Sequence, residues 1–510
     1  MLALSFPRVN IAGLAWIAPG LILFASRGGN SFRLGYLVGL VHYLVSLSWL
    51  LHIPVKFYPI LGWVALAAYL AIYPAAWVWL CQRTRDDSSW MGRLGHSLLC
   101  AAAWVAMEMI VVRMFSGFPW NLLGASQYRM LPLIQIASWT GVYGVAFLVV
   151  WFSTSLLNAA DAAVRAPGAK HLWLREIFVP MIVVALVYGV GLRGIHRSGT
   201  TERTVSLALI QPSIPQTMIW NPAESDTRFE ELLKLSIAAL TNKPEVMVWP
   251  EAAVPKMVRD DRATRLAISD LARTNHLWII IGSDDFDFRG TNAIFFNSSF
   301  LVSPEGEFVS TYRKRRLVIF GEYVPLIDWL PFIKYLTPIT GGFTAGEKPV
   351  TFELGTNGPR TSVLICFEDT FPHYVREHAT NDLDFLVNIT NDGWFGESSA
   401  QWQQAACAVF RAVENGLPLV RCANNGITCW VDEHGAMREV GFDNPKDVYR
   451  AGVKLVNVPF GVARSHTFYN RHGDIFGWTC LGIVALIAIP QLAGTIQKRR
   501  HRSTETRSRK

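Results

Sequence analysis

Six apolar windows crowd into the first 195 residues of this chain, at about 11–25, 34–52, 58–80, 95–112, 133–157 and 177–193, and a seventh lies at 475–494. A helix needs roughly 20 apolar residues to cross the hydrocarbon core of a bilayer. Most of the windows reach that length, while the first and sixth fall at its lower edge. Charged residues make up only 17% of the 510 residues, against roughly 25% in soluble domains. The apolar excess is segregated into these windows, so the spacing predicts membrane spans beside a more ordinary domain rather than core helices of a large soluble protein.

Lys and Arg near the span ends set the orientation. The tail "QKRRHRSTETRSRK" marks the cytoplasmic side. The loops at 82–93 (Arg83, Arg85, Arg93) and 158–175 (Arg165, Lys170, Arg175) agree with it only if residues 195–474 lie outside the cytoplasm. If the first window spans, parity then puts the N-terminus outside as well, which suggests a missing upstream span or a misassigned start. No cleavable signal pattern precedes the first window. The net charge of +8 is concentrated in loops and tail, so it reads as topology. No base-reading motif accompanies it, and no nucleic-acid partner is expected. Cys81, Cys100 and Cys480 fall in or beside the windows; Cys366, Cys407, Cys422 and Cys429 fall between the sixth and seventh. With no C-x-x-C or Cys/His metal spacing, neither a metal site nor a cofactor is expected. An oxidising compartment could pair Cys422 with Cys429; free buried thiols are the reading adopted.

After the basic linker "LRGIHRSGTTER" (192–203) the sequence changes character. "TVSLALIQ" (204–211), "EVMVW" (245–249), "LWIIIG" (277–282), "SVLIC" (362–366), "DFLVNIT" (384–390) and "LPLVRC" (417–422) read as short strands. "NAIFFNSSFLV" (292–302), the turn "SPEGE" and "FVSTYR" read as a hairpin. Helical patterns cover 226–241, with Phe229, Leu232, Leu233, Ile237 and Leu240 on one face, and 262–275. Strands alternating with helices over this length predict a layered α/β domain.

Three strand ends carry reactive groups. "MVWPEAAVP" places Glu251 just past a strand; "YRKRRLVIFGEYVP" places Lys314 after the hairpin, with Glu322 further on; "VLICFED" places Cys366 at a strand end, with Glu368 behind it. The thiolate is the nucleophilic form of cysteine, and nearby acids disfavour it. A carboxylate within reach can take the thiol proton, and a fixed ammonium can stabilise the oxyanion formed on attack at a carbonyl. The same ammonium is expected to lower the thiol pKa and offset the acids. Taken singly, a buried cysteine is inert filler, Glu251 is a helix N-terminal acid, and Lys314 belongs to a solvated basic run.

What joins them is a resemblance. The order and local context of Glu251, Lys314 and Cys366 resemble the Glu-Lys-Cys triad of the nitrilase superfamily. Within it, "GFPWNLLGASQ" (117–127), "WPEAAVP" (249–255), "YRKRRLVIFGEYVPL" (312–326), "ICFED" (365–369), "NDGWFG" (391–396), "QWQQ" and "NNGIT" (424–428) resemble the membrane-embedded apolipoprotein N-acyltransferases over nearly the whole chain. The resemblance implies a polytopic α-helical membrane domain plus an α/β nitrilase-like (αββα sandwich) extracytoplasmic domain. Its implied boundaries are 1–195 for about six spans, 196–474 for a periplasmic catalytic domain, 475–494 for a last span and 495–510 for a basic cytoplasmic tail. It implies Glu251 as general base, Lys314 as oxyanion stabiliser and Cys366 as nucleophile. Glu322 and Glu368 are supporting acids, and Trp220 and Trp394 are lipid-guiding aromatics. Departures from the family pattern are Ile319 in place of proline and Phe367 in place of tyrosine.

The implied reaction passes an acyl chain from a membrane phospholipid through a cysteine thioester to the N-terminal amine of a diacylglyceryl-apolipoprotein. The implied enzyme is a monomer in the cell inner membrane, facing the periplasm and in contact with the bilayer. The apolar stretch 325–346 reads as a lid or arm touching the membrane surface. Two other readings compete. A membrane-anchored amidohydrolase would use water as acceptor, but six windows exceed what anchoring needs. A non-catalytic scaffold or transporter would show more intramembrane ionisable residues than Glu108 and His42.

Overall fold

The computed structural model describes residues 1–196, 203–219, 221–325, 342–380, 382–444, 447–461 and 466–488. Trp220, most of the 325–346 arm and the basic tail lie outside the described residues.

Among the described residues four helices are long and apolar enough to cross a membrane: α2 (Tyr58–Arg83), α3 (Trp90–Val111), α4 (Val142–Arg165) and α5 (Lys170–His196). They are preceded by α1 (Ser31–Ser46). The first apolar window folds as a 3-10 turn, Ala12–Trp16, and an eight-residue helix, Ala18–Ala25. Pro19 explains the break, because proline fits the first turn of a helix but cannot continue one. The second window splits into α1 and the turn Ser48–His52. In α1, Gly39 lies against Pro74 and Ala71 of α2 so tightly that a Cβ there would meet them at 2.9 and 3.1 Å. Small residues permit this backbone approach, which supplies van der Waals contact where no hydrophobic drive exists between helices. The apolar stretch of α4 is 72% buried within the protein and that of α5 only 11%. So α4 is the centre of the bundle and α5 its lipid-facing rim.

The α/β domain contains two six-stranded mixed sheets. The first runs β12-β1-β2-β3-β4-β5 and the second β11-β10-β9-β8-β7-β6. In the first, β1 (Arg203–Gln211), β2 (Val246–Val248) and β3 (Trp278–Arg289) are parallel neighbours. The strands β4 (Asn292–Val302), β5 (Phe308–Arg313) and β12 (Gly452–Phe460) add antiparallel edges. In the second, β7 (Arg360–Ile365), β8 (Phe385–Thr390) and β9 (Leu419–Ala423) are parallel. The short β6 (Thr351–Glu353), β10 (Cys429–Val431) and β11 (Met437–Arg438) complete it. Alternate residues of the two sheets interdigitate: Leu207, Val246, Val248 and Ile280 from one meet Val363, Ile365, Val387 and Val420 from the other. Period-2 alternation sends their neighbours to the outer faces.

Each outer face has its own helices. The first sheet is covered by α6 (Ser225–Ala239) and α7 (Arg262–Asn275), through Leu232, Ala239, Ile268 and Ala272. Ile237, expected on the buried face of α6, is instead 61% exposed. Ser236 points inward in its place, where it accepts the Trp249 indole N–H at 3.0 Å. The second sheet is covered by α8 (Pro372–His378) and α9 (Ala400–Asn415), and their core is continuous with the membrane helices. Every residue of α9 except Trp402 is buried. The helix is packed between sheet and bundle, so its polar side chains must find partners in both. Glu414, for example, accepts the N–H of Val142, the first residue of α4, at 2.8 Å. The described part of the last apolar window is α10 (Ile475–Ala488).

Candidate active site

Val248 of β2, Tyr312 of β5 and Ile365 of β7 lie in the same inter-sheet core. The chain beyond each therefore leaves the sandwich at a common end, and those segments carry Glu251, Lys314 and Cys366. Lys314 Nζ donates to Glu251 Oε1 at 3.1 Å and to Glu322 Oε1 at 2.8 Å. Asn297 Nδ2 bridges the same two oxygens at 2.8 and 3.0 Å. Glu322 Oε2 takes the Val318 N–H at 2.8 Å. Glu251 Oε2 is buried and has no hydrogen-bond partner among the described residues.

Lys314 is 1% exposed, so it is not part of a solvated basic face. Burial alone would favour neutral lysine, but the Glu251 and Glu322 carboxylates outweigh it and hold the ammonium well above its ordinary pKa. For Cys366 the balance runs the other way. Burial and then the Glu251 charge push the thiol well above its usual value, and Lys314 opposes them without cancelling them. The expectation that the lysine offsets the acids is thereby corrected. At rest the sulfur keeps its proton, and a base must remove it.

The backbone presents these groups under strain. Cys366 has φ +56° and Ala252, next to Glu251, has φ +50°. This left-handed region costs a non-glycine residue about 1–3 kcal/mol and persists only where the surroundings enforce it. Beneath Glu251, Gly282 of β3 passes so closely that a Cβ would meet Pro250 O at 2.3 Å and Glu251 Cα at 2.8 Å.

Glu368 does not touch Lys314 directly; it fastens the segments that carry the lysine and the cysteine. Its buried carboxylate accepts the N–H groups of Arg315 and Arg316, both at 2.9 Å, and of Ile365 at 2.8 Å. Tyr312 and Tyr374 hydroxyls donate to it at 2.9 and 3.0 Å. One side chain thus ties the Lys314 loop to the strand end before Cys366. Asn388 of β8 donates to the Cys366 carbonyl at 2.8 Å and accepts from Arg421 at 3.2 Å. Arg421 is fully buried and pairs with Asp369. Thr390 donates to Asp392 Oδ1 at 3.2 Å, and its hydroxyl favours the Cys366 thiolate slightly, against the burial that raises the thiol.

The remaining motifs frame this centre. In "GFPWNLLGASQ", the Leu123 N–H donates at 2.7 Å to Glu108 of α3, which fixes the loop on the bundle. Asn391 and Asn424 hold each other at 3.0 Å. They also grip Gln216 and Ile214, the segment that leads towards Trp220, at 2.8 Å each. Trp394 is half-buried in the turn Asp392–Phe395. Its neighbour Phe395 packs against Trp49 of the membrane domain with ring centroids 4.5 Å apart. All seven cysteines are free.

Sequence reading missed Asn297, Asn388, Thr390 and Arg421. A signal for two of them existed: Asn388 and Thr390 are polar residues at alternate positions of the apolar run "DFLVNIT". They share one sheet face and would be costly there without a task.

Known proteins match this architecture in two parts. Residues 206–452 match the carbon-nitrogen hydrolase family, and residues 1–155 match the apolipoprotein N-acyltransferase N-terminal domain. The chain is 36% identical over 504 residues to an apolipoprotein N-acyltransferase of Geobacter metallireducens, covering 96% of this chain and 92% of that one. It is 31% identical over 457 residues to one of Vibrio cholerae, covering 85% of each chain. It is also 31% identical over 408 residues to one of Rickettsia prowazekii, covering 79% of each chain. The nitrilase-like sandwich and the apolar bundle are therefore those of a multi-pass membrane protein, and the chain belongs to the apolipoprotein N-acyltransferase family.

Proposed function

We propose that this enzyme acylates the N-terminal amine of diacylglyceryl-cysteine apolipoproteins in two steps, with Cys366 as nucleophile, Glu251 as general base and Lys314 as oxyanion stabiliser. The observation that carries this reading is the asymmetry of Glu251. One carboxylate oxygen is saturated by Lys314 and Asn297, while the other is buried and without a partner among the described residues, in a site whose thiol is held protonated. That oxygen is the natural acceptor of the thiol proton.

In the first step Glu251 takes the proton from sulfur, and Cys366 attacks the carbonyl carbon of a phospholipid acyl ester. Lys314 and backbone N–H groups near Cys366 hold the oxyanion. The carbon–oxygen bond breaks, the departing oxygen takes the proton from Glu251, and lysophospholipid leaves a thioester behind. In the second step the neutral α-amine, whose ordinary pKa is near 8, attacks the thioester and gives its proton to Glu251. The thiolate departs, regains that proton, and the amide remains. Both substrates are anchored in the bilayer. A membrane-embedded enzyme avoids extracting acyl chains, which costs about 0.8 kcal/mol per CH₂.

Intact-mass analysis of the full-length protein in detergent with phospholipid tests this. A single acyl adduct is expected; Cys366→Ala abolishes it, and a diacylglyceryl-cysteine peptide discharges it. An adduct that discharges equally fast into water alone would favour the amidohydrolase reading. The basic loops and tail support a periplasmic catalytic domain. Asp260→Cys, on its exposed surface, should react with an impermeant maleimide once only the outer membrane is opened. Reaction only after lysis refutes that orientation.

A further inference from the structure

We infer that Gln403, on the buried helix α9, is a positioning residue that sets the path of the acyl chain to Cys366; this rests on the acyl-transfer reading above. Gln403 is 4% exposed, and its amide is saturated entirely by the membrane domain. Its Oε1 accepts two indole N–H groups, from Trp49 at 3.1 Å and Trp120 at 2.8 Å. Its Nε2 donates to Pro7 O at 3.0 Å and Ser46 O at 3.1 Å. One catalytic-domain side chain therefore gathers the N-terminal segment, the end of α1, the turn after it and the 117–121 loop.

What it gathers is an aromatic wall. Trp49 and Trp120 lie 4.9 Å apart by ring centroids, and both pack on Phe395. Phe118 stacks on Trp120 at 6.3 Å. Phe367, the residue after the nucleophile, packs against the same cluster. Phe115 packs edge-on at 5.8 Å against Tyr69 of the same cluster and is 74% exposed, on a loop whose residues Phe115, Ser116 and Gly117 all have positive φ. An apolar track thus runs from an exposed phenyl ring on the membrane domain to the residue beside the thiol. A neutral amide suits this node: two indoles need an acceptor and two carbonyls need a donor, which neither carboxylate nor hydrocarbon supplies together.

The test compares the full-length protein with Gln403→Leu, which keeps the volume and loses all four bonds. Trp49→Phe, which keeps a ring and removes one donor, serves as the milder variant. Acyl-enzyme formation is followed by intact mass with phosphatidylglycerols of six-, ten- and sixteen-carbon chains. Alkylation of Cys366 by iodoacetamide is measured in parallel. The expected result is a rise in apparent KM that grows with chain length, at least tenfold at sixteen carbons and under twofold at six, with alkylation unchanged. Trp49→Phe should shift the same way by a smaller factor. Equal loss at every chain length, parallel loss of alkylation, or no loss at all overturns the inference while leaving the acyl-transfer reading intact. A wild-type protein that takes no acyl chain from any of the three overturns both.

Discussion

Glu368→Gln probes the site where its geometry is most over-determined. The carboxylate receives three backbone N–H groups that cannot reverse direction, from Arg315, Arg316 and Ile365, and two hydroxyls that can. A glutamine offers one acceptor oxygen and one NH₂. If the oxygen faces Arg315 and Arg316, the NH₂ faces the Ile365 N–H; the opposite flip orphans the other two. At least one buried donor is left unpaired, at about 1–3 kcal/mol, and the two surviving backbone bonds lose their charge-assisted character, at about 1 kcal/mol each. The total is about 3–5 kcal/mol, concentrated on the tie between the Lys314 loop and the Cys366 strand end. If that strain is relieved by letting the loop move, the ammonium leaves its place. At about 1.4 kcal/mol per decade, kcat/KM for acyl transfer should fall 10²–10³-fold. The assay is transfer from phospholipid to a diacylglyceryl-cysteine peptide, with the folded fraction checked by size-exclusion chromatography. Activity within fivefold of wild type in a well-folded Glu368→Gln protein would refute the reasoning, because it would mean the five-donor cradle does not hold the triad.

Three further outcomes follow from the same geometry. Lys314→Met removes the proposed oxyanion partner and strands the Glu251 and Glu322 carboxylates, so acyl-enzyme formation should drop at least 10³-fold by intact mass; Lys314→Arg should not rescue it, since a larger planar guanidinium cannot reproduce the point contacts of an ammonium that is 1% exposed. The Cys366 thiol is pushed up by burial and by Glu251, so its thiolate fraction is small at neutral pH and grows as pH rises. Iodoacetamide labelling of Cys366 should accelerate about tenfold per unit from pH 7 to 9, and a plateau below pH 7.5 would contradict the assignment. Glu322→Gln leaves Lys314 with Glu251 as its only carboxylate among the described residues; turnover should fall about 10–100-fold while iodoacetamide labelling at pH 8 rises, because one of the charges that disfavours the thiolate is gone.

The sandwich was legible where its strands are central and apolar: β1, β7, β8 and β9 appear in the sequence as runs of Val, Ile and Leu, because both of their faces are buried. The edge strand β12, "GVKLVNVPF", alternates and carries a lysine, and it was not read as a strand. Nor was the second half of β3, "SDDFDFR", whose acids suit an edge pairing with β4 but mimic a loop. The triad was legible only through its motif context, since residues 63 and 52 positions apart meet through sheet stacking that no local pattern encodes. Asn297 and Arg421 were not legible for the same reason. The first two apolar windows do not form single long helices. Length is what a span needs, and Pro19 and the turn after Ser46 break those windows into pieces.

The Glu251–Lys314–Glu322 cluster also answers a question that a two-residue pair would leave open. In the proposed reaction Glu251 becomes neutral when it takes the thiol proton, and Glu322 is then the carboxylate left beside the buried ammonium. Glu322 lies 2.8 Å from Nζ and is tied down through Val318. Proton transfer inside the cluster leaves its net charge unchanged: in the proposed reaction the negative charge moves from Glu251 Oε2 to sulfur, then to the developing oxyanion, past the buried ammonium. Moving a charge within a dry site costs far less than creating one there. In the proposed reaction the second carboxylate keeps the buried lysine charged, and the thiol's reluctance to ionise at rest is the other side of the same arrangement.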